Sequence, residues 1–323
     1  MRTSTKIWLI TAVSLILIGG IIFVGVMTML KWDFTKLSTN RFESNRYELT
    51  EDFSDISIQT DTADIVFVPT DGDCTVLCFE QKNVKHTVAV ENGTLVIRAV
   101  DTRKWYEHIG INFTSPGITV SIPRGAYNAL TVDSHTGNVE IPEDFSFDSI
   151  AITERTGNVT SHASVTGAVK IRTTTGKIRV ENATAETMEL SVSTGRVTLS
   201  GVSVSGDLTV RVSTGNAELS GVACKNLTTG GSTGDVTLRR VIVDEKISVE
   251  RSTGNVRFEA SDAAEIFVRT DTGNVSGTLC SPKVFDVKTD TGKKSYPNTT
   301  TGGRCEITTD TGNIRIEIED GIS

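Results

Sequence analysis

The sequence is poor in aromatic residues, prolines, cysteines and histidines. Phe, Trp and Tyr make up 6% of the 323 residues, beside six prolines, five cysteines and four histidines. The cysteines are odd in number and form no C-x-x-C pair, which argues against a zinc finger and against a disulfide framework. None of the histidines stands at metal-ligand spacing from another histidine or a cysteine, so we expect them on the surface.

The sequence also lacks common signatures of catalysis and of nucleotide or calcium binding. It has no G-x-S-x-G elbow, Walker loop, H-E-x-x-H motif or EF-hand loop. Its acidic residues are scattered, so no general acid and base pair stands out. The net charge is −8, and a basic footprint for nucleic acid is absent. We therefore expect a protein that is not an enzyme and needs no cofactor.

A Thr-Gly dipeptide recurs ten times, at steps of 19 or 20 residues. A fixed period of this length is typical of stacked repeats. Apolar residues mostly stand seven and five residues before each glycine and two residues after it, with polar residues between them. This alternation indicates two short strands per repeat, joined at a bend that needs a positive φ. The glycines are Gly137, Gly157, Gly176, Gly195, Gly215, Gly234, Gly254, Gly273, Gly292 and Gly312.

Two architectures satisfy this pattern, an antiparallel meander of ten hairpins and a β-solenoid. We favour an all-β, single-stranded β-solenoid (β-helix-like) of 19–20-residue coils. Identical residues recur at every equivalent bend, where stacked Asn and Thr side chains can bond to their copies in the neighbouring coils. A free ribbon of ten hairpins would also expose long edges. Ten coils spaced about 4.8 Å apart predict a rod of about 50 Å.

The N-terminus carries a candidate membrane anchor. Residues 7–30 are apolar and uncharged, which is long enough for a transmembrane helix. Arg2 and Lys6 precede this run and no convincing cleavage site follows it, so we predict an uncleaved signal anchor. A cleaved secretion signal is the alternative. Residues 1–6 would be a cytoplasmic tail and residues 31–47 a juxtamembrane linker. The C-terminal domain of this single-pass cell-membrane protein would be extracytoplasmic.

The solenoid is predicted to begin before its first Thr-Gly. Residues 131–323 are the regular repeats, and residues 48–130 are assigned to irregular first coils and a cap. In the first coil, the stretch Asp61-Thr62-Ala63-Asp64 replaces Thr-Gly-Asn, with apolar residues at the expected positions around it. The array therefore starts near residue 50.

A cap is expected because an open coil end would expose both the core and the backbone edges. Asn92-Gly93 predicts a hairpin turn within it. Trp105 and Tyr106 lie in an insertion and are expected to pack in the cap. The predicted strands are Cys74–Glu80, His86–Val90, Thr94–Ala99 and Gly117–Ile122.

Two segments resemble a known family. They are residues 117–123 (GITVSIP) and residues 130–139 (LTVDSHTGNV), followed by repeated Thr-Gly-Asn-Val. They resemble the bacterial putative-adhesin, β-strand-repeat family of unknown function (DUF4097-like), over roughly residues 50–320. The resemblance implies a β-solenoid at the cell envelope, often tethered by one N-terminal membrane helix. It supplies no catalytic residues.

One set of acidic residues suggests a weak cation site. Asp271, Asp290 and Asp310 each stand two residues before one of the last three glycines. Stacked carboxylates about 5 Å apart repel unless they are screened or bridged, and hard cations take oxygen ligands. The alternative is that these aspartates face water or bond to the turn backbone.

The sequence thus predicts a membrane-anchored extracytoplasmic β-solenoid that acts as an adhesin-like binding or scaffolding surface. Its partner would be an envelope polymer, a membrane protein or another copy of the chain, with no role for nucleic acid. One alternative is a regulatory partner in a membrane-stress signalling circuit. A further alternative is a polysaccharide-active enzyme, although the repeats offer few exposed aromatic residues for sugar stacking.

Overall fold

The computed structural model of the chain describes residues 3–33, 41–105 and 114–319. Helix α1, Thr3–Met29, is largely apolar, and from Thr5 to Met29 its side chains are exposed apart from that of Met27, which is buried. Its stretch Thr5–Met29 is long and apolar enough to cross a membrane. This agrees with the predicted span over residues 7–30.

The remaining described residues form twenty-five strands. They are β1 Phe42–Leu49, β2 Asp55–Thr62, β3 Asp64–Thr70, β4 Cys74–Gln81, β5 Val84–Glu91, β6 Thr94–Asp101, β7 Gly117–Pro123, β8 Gly125–Thr136, β9 Val139–Ile141, β10 Phe145–Thr156, β11 Val159–Ser161, β12 Ser164–Val165, β13 Ala168–Glu181, β14 Thr184–Ala185, β15 Thr187–Ser200, β16 Ser203–Ser220, β17 Ala223–Thr233, β18 Val236–Arg239, β19 Ile242–Thr253, β20 Val256–Thr272, β21 Val275–Leu279, β22 Lys283–Thr291, β23 Lys294–Ser295, β24 Gly303–Thr311 and β25 Ile314–Ile318.

Strands from neighbouring coils pair in parallel and in register. Leu130 on β8 lies beside Ile150 on β10, which lies beside Val169 on β13. In a meander, neighbouring strands would instead run antiparallel. The parallel pairing confirms the predicted β-solenoid. The strands β12 and β14 add a short third side to their coils, which the two-strand repeat pattern did not predict.

The predicted apolar columns face the core. On β15, Leu190 and Val197 are both fully buried. A further inward column, three residues before each bend glycine, was missed because most of its members are polar. Its buried polar residues are Thr60, Ser134, Glu154, Thr173, Arg251, Thr270 and Thr309.

The bend glycines are required by close stacking of the coils. A Cβ atom added at Gly273 would lie 1.9 Å from the carbonyl oxygen of Gly254 in the neighbouring coil. The φ of Gly273 lies outside the left-handed range, so a positive φ is not the reason for glycine at this bend. Other bends, such as Gly215 with a φ of 129°, combine the close approach with the unusual backbone conformation.

An amide ladder joins the residues that follow the bend glycines. The Oδ1 atom of Asn138 accepts hydrogen bonds from the backbone N–H and the Nδ2 of Asn158, at 3.0 and 2.9 Å. Asp64 in the first coil serves Asn138 in the same way, at 2.8 and 2.9 Å. The side-chain oxygen therefore takes the place of a backbone carbonyl where the strands are interrupted at the bend.

The N-terminal cap is a layer of strands placed over the first coil. β6 pairs in parallel with β2, and β7 pairs in parallel with β3. Beyond them, β5 is antiparallel to β6, β4 to β7, and β1 to β4. The four predicted cap strands are confirmed, and Asn92 and Gly93 adopt the positive φ values of a hairpin turn, 51° and 77°.

Three sequence-based expectations about this region were wrong. Residues 42–47, assigned to the linker, belong to β1, where Phe42 stacks on Phe79 with ring centroids 5.1 Å apart. Trp105 is 79% exposed, which differs from the buried position that was expected, whereas Tyr106 lies outside the described residues. His86 is buried, because it serves a hydrogen-bond network described below.

The last two coils are stacked in the reverse of their sequence order. β24 pairs with β20 on one side and with β22 on the other, so residues 303–318 lie between β20–β21 and β22–β23. The backbone N–H of Gly273 donates to Thr311, and that of Gly312 donates to Thr291, both at 2.9 Å. The coil of β22 and β23 therefore closes the distal end of the rod.

The terminal coil carries polar residues where inner coils are apolar. Lys294 occupies the predicted apolar column two residues after the glycine, yet it is exposed, and its Nζ lies 3.4 Å from the carbonyl oxygen of Val287. Thr299 donates its hydroxyl hydrogen to the carbonyl of Lys283. These side chains donate to backbone carbonyl groups at the edge of the terminal coil, where no further coil stacks. The edge is thereby protected against pairing with other chains.

The close stacking predicts that Gly273→Ala destabilises the rod by about 3 kcal/mol, because the new methyl group overlaps a backbone carbonyl. Thermal unfolding should show a Tm lower by roughly 5–10 °C. Gly72→Ala is the matched control, since a Cβ there meets only the Thr70 hydroxyl at 3.8 Å. Equal Tm values for the two variants would contradict this account of the bend.

The coil order predicts different crosslinking of two cysteine pairs, each introduced into a Cys280→Ser background because Cys280 is exposed. Asp271→Cys with Asp310→Cys places the thiols on adjacent coils, about 5 Å apart along the rod. Asp271→Cys with Asp290→Cys separates them by two coil steps, about 10 Å. Dibromobimane should crosslink the first pair faster. Faster crosslinking of the second pair would show that the coils stack in the order of the sequence.

Candidate binding surface

The three aspartates proposed as a cation site lie at the outer bends of the last coils. All three are exposed, and their order along the rod is Asp271, Asp310 and then Asp290. Within the described residues, the set of three metal-type donor atoms lying within 4.8 Å of one another comes from other side chains. The cation-site hypothesis therefore stays a prediction, with Asp310 as the central residue.

That other set of donors is Cys78, Glu80 and His86, all buried in the cap. β4 supplies the first two residues and β5 supplies the histidine. The Oε2 atom of Glu80 accepts from the backbone N–H of His86 at 2.6 Å and lies 2.7 Å from its Nδ1. Asn45 donates to Oε1 at 2.7 Å, and the Nε2 of His86 lies 2.9 Å from the Thr60 hydroxyl.

These hydrogen bonds satisfy both the carboxylate and the imidazole without an ion. Burial, reinforced by the nearby Glu80 charge, raises the pKa of the Cys78 thiol to about 12. In the absence of a metal ion the thiol is therefore protonated at neutral pH. We interpret the cluster as a structural network that joins β1, β4 and β5 of the cap to Thr60 of the first coil.

The outer face of the distal coils carries a different kind of site. A groove of about 260 Å³ opens on the face formed by β19, β20 and β24. It exists because β24 lies directly beside β20, which places Glu306 next to Phe267 and Thr308 next to Arg269. The lining residues are Ser248, Val249, Glu250, Phe267, Val268, Arg269, Glu306 and Thr308.

Phe267 is the aromatic residue of this groove. Its ring is half-buried and points outward from the sheet between two cations. Lys246 Nζ lies 4.4 Å from the ring centroid and the guanidinium carbon of Arg304 lies 5.5 Å from it. Such cation–π contacts hold the ring in place on an exposed face. Arg304 also forms an ion pair with Glu306 at 2.6 Å.

The groove therefore combines an apolar ring with several hydrogen-bonding side chains. Glu250 and Arg269 are exposed neighbours on adjacent strands, and Ser248 and Thr308 add hydroxyl groups. Ligand sites are commonly built from an apolar surface with a few polar groups that fix orientation. This arrangement can bind a polar ligand that also offers an apolar face.

Sequence reasoning missed Phe267, although a signal was available. Phe267 stands six residues before its bend glycine, in a column that points outward. The other members of this column are mostly polar, among them Thr209, Thr228 and Ser248. A single aromatic residue in such a column has no packing role to explain it. The composition of the groove beyond Phe267 depends on the coil order, which sequence spacing could not give.

The fold is that of a parallel β-solenoid protein with one apolar N-terminal helix. The chain belongs to the Toastrack DUF4097 family, whose model matches residues 53–209 and 205–322. This confirms the family resemblance given by the repeated Thr-Gly-Asn-Val motif. No curated protein matches the sequence.

Several solved structures are similar to this chain. The chain is similar to a putative adhesin from Parabacteroides distasonis, with a TM-score of 0.51 and 14% identity over 86% of this chain and 98% of that one. It is also similar to a putative lipid binding protein from the same species, with a TM-score of 0.47 and 13% identity over 87% and 98% of the two chains. A putative adhesin from Bacteroides fragilis gives a TM-score of 0.41 and 14% identity over 86% and 97%. At 14% identity, the likeness to the first of these structures shows the fold alone.

The cap network predicts that His86→Ala lowers stability by about 3 kcal/mol, because it leaves a buried carboxylate without its imidazole partner. His135→Ala is the control, since His135 is half-exposed beside Asp61 and such pairs contribute at most about 1 kcal/mol. Urea unfolding measures both changes. A Tm that falls in EDTA and recovers with zinc would instead show that the cluster holds a metal.

Proposed function

We propose that this protein is a membrane-tethered binding rod of the cell envelope. The apolar helix anchors the chain, and the solenoid displays its outer faces on the extracytoplasmic side. The parallel register fixes the backbone positions of the exposed residues on these faces, so the rod presents a rigid surface. We propose that the chain is not an enzyme, and that its action is to hold a ligand at a fixed place along the rod.

The observation that supports this proposal is the groove at Phe267. An aromatic ring that packs in no core, flanked by Glu250, Arg269 and hydroxyl groups, matches the mixed apolar and polar surface of a sugar ring. We therefore propose an envelope polysaccharide as the ligand. The in-register face on either side of the groove would let an extended polymer contact more than one coil.

Binding can be tested with the full chain in lipid nanodiscs, titrated with peptidoglycan glycan strands and with wall teichoic acid. We expect Phe267→Ala to weaken binding about tenfold, because the ring supplies most of the apolar contact. Ile242→Ala is the control, since Ile242 is 47% exposed but lies outside the groove. Labelling of Cys280 by a membrane-impermeant maleimide in intact cells checks that the solenoid is outside.

Two results would contradict the proposal in different ways. Failure of the unmodified chain to bind either polymer would reject the polysaccharide ligand, and capture of one membrane protein instead would favour the signalling alternative. Binding that is unaffected by Phe267→Ala would place the ligand on another face of the rod.

A further inference from the structure

A column of polar side chains runs inside the first coils of the rod. Its members point into the core from four successive coils, each three residues before the bend. They are at most 6% exposed. Because coils are spaced about 4.8 Å apart, each polar group lies close to the next. From the cap inward they are Thr60, Ser134, Glu154 and Thr173.

Glu154 is the member of this column that carries a carboxyl group. It is 1% exposed, and neither of its oxygens has a hydrogen bond of good geometry within the described part of the chain. The hydroxyl of Ser134 beside it is likewise unpartnered. Thr173, on the other side, directs its hydroxyl towards the carbonyls of Gly157 and Thr175, both at 3.4 Å.

No cation neutralises this carboxyl group among the described residues. The neighbouring strand β8 brings the hydroxyl of Ser134 and the carboxylate of Asp133, and β13 brings the hydroxyl of Thr173. On β10 itself, the backbone amides of Arg155 and Thr156 lie near Glu154. The other buried charge of the inward column, Arg251, is five coils away, at about 24 Å along the rod.

An ionised carboxylate buried in this way would be strongly destabilising, whereas a protonated carboxyl group can donate to a neighbouring oxygen. We propose that Glu154 carries a proton in the folded rod, and that the third coil is a pH-sensitive joint whose packing loosens when this proton is lost. The hydroxyl oxygen of Ser134, which lies beside Glu154 on β8, is an acceptor that the column offers for that proton.

The direction of the pH effect follows from burial, which raises the pKa of Glu154 to about 7, against about 4.3 for an unperturbed glutamate. Between these values the folded chain holds a proton that the unfolded chain has released. Stability is therefore expected to fall as pH rises from about 4 to about 7. It should level off above this window, where the carboxyl group is ionised in both states, and below it, where it is protonated in both.

The test is urea unfolding of the full chain in detergent micelles at pH 5, 6, 7 and 8. The unfolding equilibrium constant of the unmodified chain should rise by up to roughly tenfold per pH unit between pH 5 and 7. Glu154→Gln keeps the shape of the side chain but removes its titration. The unfolding equilibrium constant of this variant should therefore lack the rise of up to roughly tenfold per pH unit. Glu140→Gln, at an exposed position on β9, is the control and should retain the full pH dependence.

A second measurement does not require the variant to fold. A carbon-13 carboxyl titration of the glutamates in the unmodified chain should show one resonance with a midpoint near pH 7. Either of two results would overturn the proposal: a Glu154 midpoint below pH 5, or the same pH dependence of unfolding for the unmodified chain and Glu154→Gln. The result of this test for Glu154 does not depend on whether the distal groove binds a polysaccharide.

Discussion

The close contact between bend glycines sets the spacing and register on which the other features depend. At each Thr-Gly bend the space for a Cβ atom is filled by a backbone carbonyl of the neighbouring coil. A slip of one residue would place the preceding threonine or the following residue in that space. The register is therefore fixed at every coil, and equivalent side chains must form columns. Inward columns make the core, and outward columns make the faces that a ligand would meet.

Neighbouring coils are joined at the bend either by side-chain hydrogen bonds of the amide ladder or by backbone pairing. Where Asn138, Asn158 and Asn255 follow the glycine, the strand is interrupted and side-chain oxygens accept the neighbouring amides. Where Lys177 and Arg196 follow it, β13 and β15 continue through the bend and pair directly. A side-chain oxygen from Asn or Asp thus serves where either of the two neighbouring coils leaves the strand conformation, as Asn216 in β16 does for the N–H of Asp235 at 3.1 Å. This accounts for the mixture of residues after the glycine.

Much of this architecture could be predicted because a repeated hydrophobic pattern reports directly on a repeated structure. The coil length, the apolar columns, the disguised first coil and the cap strands all followed from spacing alone. The inward polar column was missed because Ser134, Glu154 and Thr173 are polar, although period two places them on the same face as the apolar residues two and four positions before them. His86 was misplaced for the same reason, because its burial depends on Glu80 and on a coil distant in sequence.

The reversed order of the last two coils has a chemical explanation that the sequence does contain. An inner coil needs an apolar residue two positions after the glycine and benefits from an asparagine directly after it. The last coil in sequence supplies Ile314 and Asn313, and Asn313 both donates to and accepts from its neighbours. The preceding coil has Lys293 and Lys294 at these positions, and Lys294, in the otherwise apolar column, is tolerated only where no further coil stacks.

This order also determines what the distal groove contains. If the coils followed the sequence, Asp286 and Lys288 would stand beside Phe267 and Arg269 in place of Glu306 and Thr308. Val284 would then replace Arg304 beside the ring, Lys288 would enter the groove, and the hydroxyl of Thr308 would move one coil away. The stacking order of the last two coils therefore decides two features. It determines which residues close the end of the rod against edge pairing and which residues line the candidate binding site. A substitution that made residues 293–294 suitable for an inner coil would be expected to change both.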